Sequence, residues 1–89
     1  MKSILTVIGK DKVGIISGVS NELTKFNINI INVNQTIMDG YFTMIMILDC
    51  SNTNKSFEYI QKELLLLSDK LKVDIKIQRE EIFDSMHSL

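Results

Sequence analysis

The sequence has no proline and no tryptophan, and only one cysteine and one histidine. A single cysteine, Cys50, excludes an intrachain disulfide and fits a reducing compartment. No Cys-x-x-Cys pair and no zinc-ligand spacing occur, so neither a copper-chaperone site nor a structural metal site is expected. Charge of one sign is also missing. Ten lysines and arginines are scattered against eleven acids, for a net charge of −1. That leaves no electrostatic footprint for nucleic acid or an anionic membrane. No apolar run approaches the roughly 20 residues of a membrane-spanning helix. Residues 1–6 read as the start of a strand, too short in apolar character for a secretory signal. The expectation is a soluble cytoplasmic protein without a membrane or nucleic-acid partner. With no low-complexity segment and no internal repeat, the 89 residues read as one domain, and 45% hydrophobic residues suffice for one modest core.

Catalytic groups are equally sparse. His87 sits near the C-terminus, and Cys50 ends an apolar stretch, where a buried structural thiol is the expected role. Asp11 and Asp39 fall in turns, where aspartate is favoured for backbone reasons. No pair of carboxylates is held at helical or cross-strand spacing on an apolar site. The chain is therefore not expected to be an enzyme, to carry a catalytic residue or to hold a cofactor or metal.

What is present centres on residues 9–20, Gly-Lys-Asp-Lys-Val-Gly-Ile-Ile-Ser-Gly-Val-Ser. An apolar run ends at Gly9, a short charged turn follows, and a helical pattern begins at Val13. Three of the four glycines stand here, at 9, 14 and 18. Glycine serves where backbone turns sharply or approaches another group closely. A strand-to-helix turn aims free N–H groups outward, and with the helix dipole these favour an anion. If the protein has a small-molecule site, it is expected at this turn. The plain structural alternative is a tight β–α turn, with Gly18 letting the helix lie close on a sheet.

Periodicity sets out the remaining elements. Residues 3–8 read as a central strand. Asp11 is the expected N-cap of the first helix, whose core face is Ile15, Ile16, Val19, Leu23 and Phe26. Asn27 can end that helix in a left-handed conformation. The second strand covers about residues 28–38. Ile28 and Ile30 fall out of step with Ile31, Val33, Gln35 and Ile37, so a bulge or an irregular entry is expected near residues 29–31. Asp39-Gly40 signals a two-residue type I′ hairpin. It sets the register, pairing Met38 with Tyr41, Ile37 with Phe42, Gln35 with Met44, Val33 with Met46 and Ile31 with Leu48. This row should face the helices. Residues 51–54 form a polar break with several possible N-caps. The second helix follows, with Phe57, Ile60, Leu64, Leu67 and Leu71 inward and a Glu58–Lys62 pair outward. Leu65 and Leu66 widen its apolar stripe beyond what one sheet needs. Residues 72–78 alternate as an edge strand with Lys72, Asp74, Lys76 and Gln78 outward. Ile82, Phe83, Met86 and Leu89 suggest a short amphipathic helix.

The order β-α-β-β-α-β predicts an α+β, ferredoxin-like sandwich: a four-stranded antiparallel sheet in order 4-1-3-2, both helices on one face, plus the C-terminal helix. The opposite sheet face keeps Ile45, Ile47 and one side of the first strand. A small domain rarely leaves such a patch to water, so the tail or a second subunit should cover it. Residues 39–46 resemble an RNA-recognition signature. Asp39 nevertheless stands where a basic residue is needed, and the open face reads Tyr41, Thr43, Ile45, Ile47 without alternating aromatics.

Gly9-x-Asp11-x-x-Gly14-Ile15-Ile16 at a strand-to-helix turn, followed after the helix by Asn27-Ile28-Asn29-Ile30, resembles the ACT domain, a small ligand-binding regulatory module of amino-acid metabolism. The resemblance covers about residues 2–79 and includes the element order and the Asp-Gly hairpin. It implies an ACT domain over residues 1–79 and a helical tail over 80–89, similar to small stand-alone bacterial ACT proteins such as the glycine-cleavage repressor and to the N-terminal domain of formyltetrahydrofolate deformylase. It also implies a homodimer that holds an amino acid between subunits and passes the signal to a protein partner. Carried over by position, Asp11 would meet the ligand's amino group. The backbone of Val13, Gly14 and Ile15 would meet its carboxylate, and Asn29 would supply a polar group from the start of the second strand. The alternative is an assembly module with a degenerate ligand site.

Overall fold

The computed structural model describes residues 1–10 and 13–81. Its elements are β1 (Lys2–Gly9), α1 (Ile15–Lys25), β2 (Asn29–Met38), β3 (Tyr41–Asp49), α2 (Phe57–Leu71) and β4 (Asp74–Arg79). The strands form one antiparallel sheet in the order β2-β3-β1-β4. This is the predicted ferredoxin-like order read from the other edge. The expected helical tail lies, from residue 82 onward, outside the described residues.

The core forms where the apolar face of each helix meets one side of the sheet. Ile15, Val19 and Leu23 of α1 and Ile60, Leu64 and Leu67 of α2 pack with Leu5, Val7, Met44, Met46, Leu48, Ile75 and Ile77. Each such side chain contributes about 1.5–3 kcal/mol when removed from water. Ile16 was expected on that face but is 39% exposed. One residue advances a helix by about 100°, so only Ile15 of the pair points to the sheet. Cys50 is buried, its sulfur 3.5 Å from the Ser3 hydroxyl, as a structural thiol would be.

Helix ends follow local chemistry. Asn27 takes φ 59°. The Ile28 N–H donates to the Leu23 carbonyl and the Asn27 N–H to the Thr24 carbonyl, each at 3.0 Å, which is a Schellman stop with Ile28 packed on Leu23. At the other end the structure corrects the expectation. The N-cap of α1 is Gly14, not Asp11, and the helix starts at Ile15. Gly14 is left-handed (φ 78°), a turn that a residue without a Cβ makes at little cost. Ser56, just beyond the expected break, caps α2 by accepting from the Tyr59 N–H at 3.1 Å. Lys72, expected in a strand, is the left-handed C-cap of α2, with φ 58°, so β4 begins only at Asp74. Glu58 faces Arg79 at 3.9 Å rather than closing the expected pair with Lys62.

The hairpin register is the expected one from Met38↔Tyr41 back to Asn32↔Ile47. The bulge falls between Ile30 and Asn32, so Ile30, not Ile31, opposes Leu48. A larger difference concerns coverage. Ile31, Val33, Gln35 and Ile37 were expected under the helices, yet all ten residues of β2 are exposed. Their β3 partners Phe42, Met44 and Met46 are buried. The helices pack on the other three strands, and β2 projects beyond them.

Candidate functional site

The β1–α1 turn is built around two glycines with different tasks. A Cβ on Gly9 would lie 2.5 Å from Val73 Cγ1, so this glycine lets β1 pass the residue leading into β4. Among the described residues nothing lies within 4 Å of where a Gly14 Cβ would stand. The first-turn N–H groups of a helix have no acceptor inside it, and glycine offers no side chain to cap them. The first turn also carries no acidic residue. The dipole's positive end is left without a compensating charge from its own helix, and this favours a small anion. At the other end Lys25 lies 2.8 Å from Glu22, and that hydrogen bond holds its ammonium pKa above the usual lysine value. A Cβ on Gly18 would lie 3.1 Å from Leu71 Cδ1, so this glycine admits α2, not the sheet as expected.

Of the expected site residues, Val13, Gly14 and Ile15 are neighbours at this turn. Val13 is 82% exposed and Ile15 is buried. Asp11 lies outside the described residues. Asn29 is exposed at the first position of β2, opposite Asp49, on the sheet face turned away from the helices. Gly9 pairs with Phe42 and Asn29 with Asp49. Those two pairs are separated along β3 by about 23 Å at ~3.3 Å per residue. One chain therefore does not bring the turn and Asn29 together.

The edge between them is apolar on its helix side. Ile30, Val33 and Ile37 are 37%, 39% and 62% exposed. A recess of about 260 Å³ lined by Gln35, Thr36, Ile37 and Phe42 lies at its hairpin end, the end at which Gly9 pairs with Phe42. A larger recess of about 370 Å³ runs along the opposite edge, lined by Gln61, Leu64, Leu65 and β4 residues. No residue of the α1 turn or of β2 lines it. Sequence reasoning missed the row Val33, Gln35, Ile37 as a surface. The available signal was charge: residues 29–38 contain none, whereas β4 carries Asp74, Lys76 and Arg79. Among the described residues no group of three metal-ligating side chains occurs, and no helix is long and apolar enough to cross a membrane.

Comparison with known proteins agrees with this architecture. The ACT domain family model matches residues 3–78. A UPF0237 protein of Listeria innocua is 57% identical over the whole of both chains. The solved structure of an ACT domain protein from Streptococcus pneumoniae superposes with a TM-score of 0.85 at 40% identity, covering 94% of each chain. A formyltetrahydrofolate deformylase from Pseudomonas syringae matches 88% of this chain but 27% of its own, with a TM-score of 0.77 at 21% identity. That last likeness is one of fold.

Proposed function

The chain belongs to the ACT domain family, and on that premise we propose that it is a non-catalytic regulatory module. In this reading it works as a homodimer in the cytoplasm, binds an amino acid between subunits and modulates a partner of amino-acid or one-carbon metabolism. The single observation that carries the reading is the separation of the α1 turn from Asn29 by the length of an exposed, uncharged edge strand. Antiparallel pairing of two β2 strands reverses one chain against the other, and so brings the partner subunit's Asn29 to the hairpin end of this chain's sheet, the end at which the α1 turn lies. The ligand carboxylate then meets the backbone of Val13, Gly14 and Ile15, where N–H groups and dipole favour it. Asp11 accepts from the ammonium group, and Asn29 supplies its amide. The uncovered row of β2 is an apolar surface of the kind that marks association.

Thermal unfolding against the twenty amino acids at millimolar concentration tests this. A ligand at ~100 times its dissociation constant adds ~2.7 kcal/mol, which raises the melting temperature by about 4–8 °C in a domain of this size. We expect one or two amino acids to produce the shift and Asn29→Ala to abolish it. A second reading, an assembly module with a degenerate ligand site, is favoured by Leu65 and Leu66. They stand 62% and 57% exposed on α2. No shift with any amino acid, from a protein that remains dimeric, would select it.

A further inference from the structure

We infer that residues 82–89 fold back, within their own chain, over the sheet face turned away from α1 and α2, and seat their apolar side chains on Ile4 and Ile47. The inference concerns the face of the sheet, so it holds whether or not two chains pair at β2.

The observation behind it is a contrast between like residues. Successive strand residues point to opposite faces. Leu5 and Val7 belong to the core under the helices, so Ile4, Thr6 and Ile8 of β1 face the other way. On β3 that face carries Ile45 and Ile47, because Met44, Met46 and Leu48 are in the core. Ile4 is 7% exposed, and among the described residues it is the one buried hydrophobic side chain outside the core. Ile47, opposite it, is half-buried. Ile8 and Ile45, on the same two strands and the same face, are 42% and 44% exposed. Neighbours within the sheet do not account for this. Ile4 stands between Ile47 and Gln78, and Ile8 between Thr43 and Asp74. Each is flanked on both sides, and Gln78 is itself exposed. A cover above the sheet shields Ile4 and stops short of Ile8.

Ile4 is shielded within a single chain, so the cover belongs to that chain. Beyond the described residues the chain has two pieces, 11–12 and 82–89. Residues 11–12 follow Gly9, at the end of β1 where Ile8 is exposed. Residues 82–89 follow β4 at the other end. There Arg79 pairs with Ser3, Glu80 and Glu81 are already helical, and both line a recess with Met1 and Lys2. Lys2 shares the parity of Ile4, so the chain arrives beside the shielded residue. The sequence that follows suits the seat. At about 100° per residue, Ile82, Phe83, Met86 and Leu89 share one stripe, with Asp84, Ser85, His87 and Ser88 opposite. Ten helical residues from Glu80 would span ~15 Å, close to three strand spacings of ~4.8 Å. That length crosses the sheet once, over Ile4 and Ile47. Ile8 lies ~13 Å further along β1 and stays open. The competing seat is the recess beside Leu65 and β4, and a tail placed there would leave Ile4 without its cover.

Methyl NMR on the full-length protein reads the seat directly. We expect nuclear Overhauser contacts from the Ile82 and Met86 methyl groups to those of Ile4 and Ile47, and none to Leu65. Mixing chains labelled in different methyl groups separates contacts within a chain from contacts between chains. Met86→Asp, which sets a charge in the apolar stripe, should abolish the contacts and raise the binding of a hydrophobic dye by roughly threefold or more, with the circular dichroism of the domain unchanged. Contacts to Leu65, contacts found only between chains, or a wild-type protein with no contact to Ile4 would each overturn the inference. So would a Met86→Asp protein that keeps the wild-type contacts and dye binding. None of these outcomes touches the amino-acid reading, which stands or falls on the thermal shift.

Discussion

The two edges of this sheet are finished in opposite ways. At β4 the inward Ile75 and Ile77 are buried under α2, and the outward positions carry Asp74, Lys76 and Gln78. Arg79 lies over the Phe57 ring at 4.6 Å, so even the end of the strand is packed against α2. That is how a soluble domain discourages pairing at an edge. At β2 no residue is buried and none is charged. The strand is longer than β4, ten residues against six. An uncovered, uncharged strand is an aggregation hazard unless something occupies it. Here it runs between the two halves of the site that the β1–α1 turn and Asn29 would form. The covered edge completes the domain, and the open edge is where a second chain would complete the function.

The largest test of this contrast is a matched pair of truncations. Ile77→Ala on the covered edge should cost about 2–5 kcal/mol, the range for a buried isoleucine. Val33→Ala on the open edge should change the stability of a single chain by about 0.5 kcal/mol or less, while weakening the dimer. Urea unfolding at low protein concentration, with light scattering at high concentration, separates the two effects. Equal losses of stability would mean that β2 is covered within one chain.

A smaller effect is expected at Gly9. Its Cβ would press on Val73, a β-branched side chain with one stiff rotamer, just ahead of β4. Gly9→Ala should destabilise by about 1–3 kcal/mol through overpacking. In hydrogen exchange, β4 amides should lose protection before those of β3. If β4 keeps its protection, the seam between Gly9 and Val73 is not what holds the covered edge.

The smallest effect lies at Asp49, which opposes Asn29 at the start of β2. The Ser51 hydroxyl and N–H donate to Asp49 Oδ1 at 2.6 Å and 3.0 Å and lower its pKa below the usual aspartate value. A carboxyl lowered on folding contributes stability that is present above its unfolded pKa and is lost as pH falls through the folded value. Ser51→Ala should therefore raise the Asp49 pKa toward the ordinary value and reduce acid-dependent destabilisation. An NMR titration of the Asp49 carboxyl follows this, and an unchanged midpoint would show that the turn does not hold the carboxylate.

Much of this molecule was legible before any coordinates. Asp39-Gly40 permits positive φ at both positions, and both take it, at 52° and 80°. That one turn set the register as far as Asn32. Asn27 tolerates the left-handed stop, and the broken parity around Ile31 marked the bulge, because period two allows no other explanation. At the candidate site the position of the turn was legible, but the start of its helix was not. Asp11 is a good N-cap by residue type, yet the left-handed Gly14 takes that place and the helix starts at Ile15, two residues beyond the Val13 of the pattern.

Coverage was decided only by the tertiary structure. Alternation tells which residues share a face: Val33, Gln35 and Ile37 do lie on the helix side. It does not tell whether a helix lies above them, because that depends on how far two helices of fixed width reach across four strands. Lys72 shows the same limit, since its place in an alternating pattern could not reveal the left-handed turn that ends α2. Local chemistry and periodicity, which act between near neighbours in the chain, determined the elements, their order and their pairing. The packing of α1 and α2 over three strands, a competition for limited apolar area, decided that β4 is closed and β2 is left open.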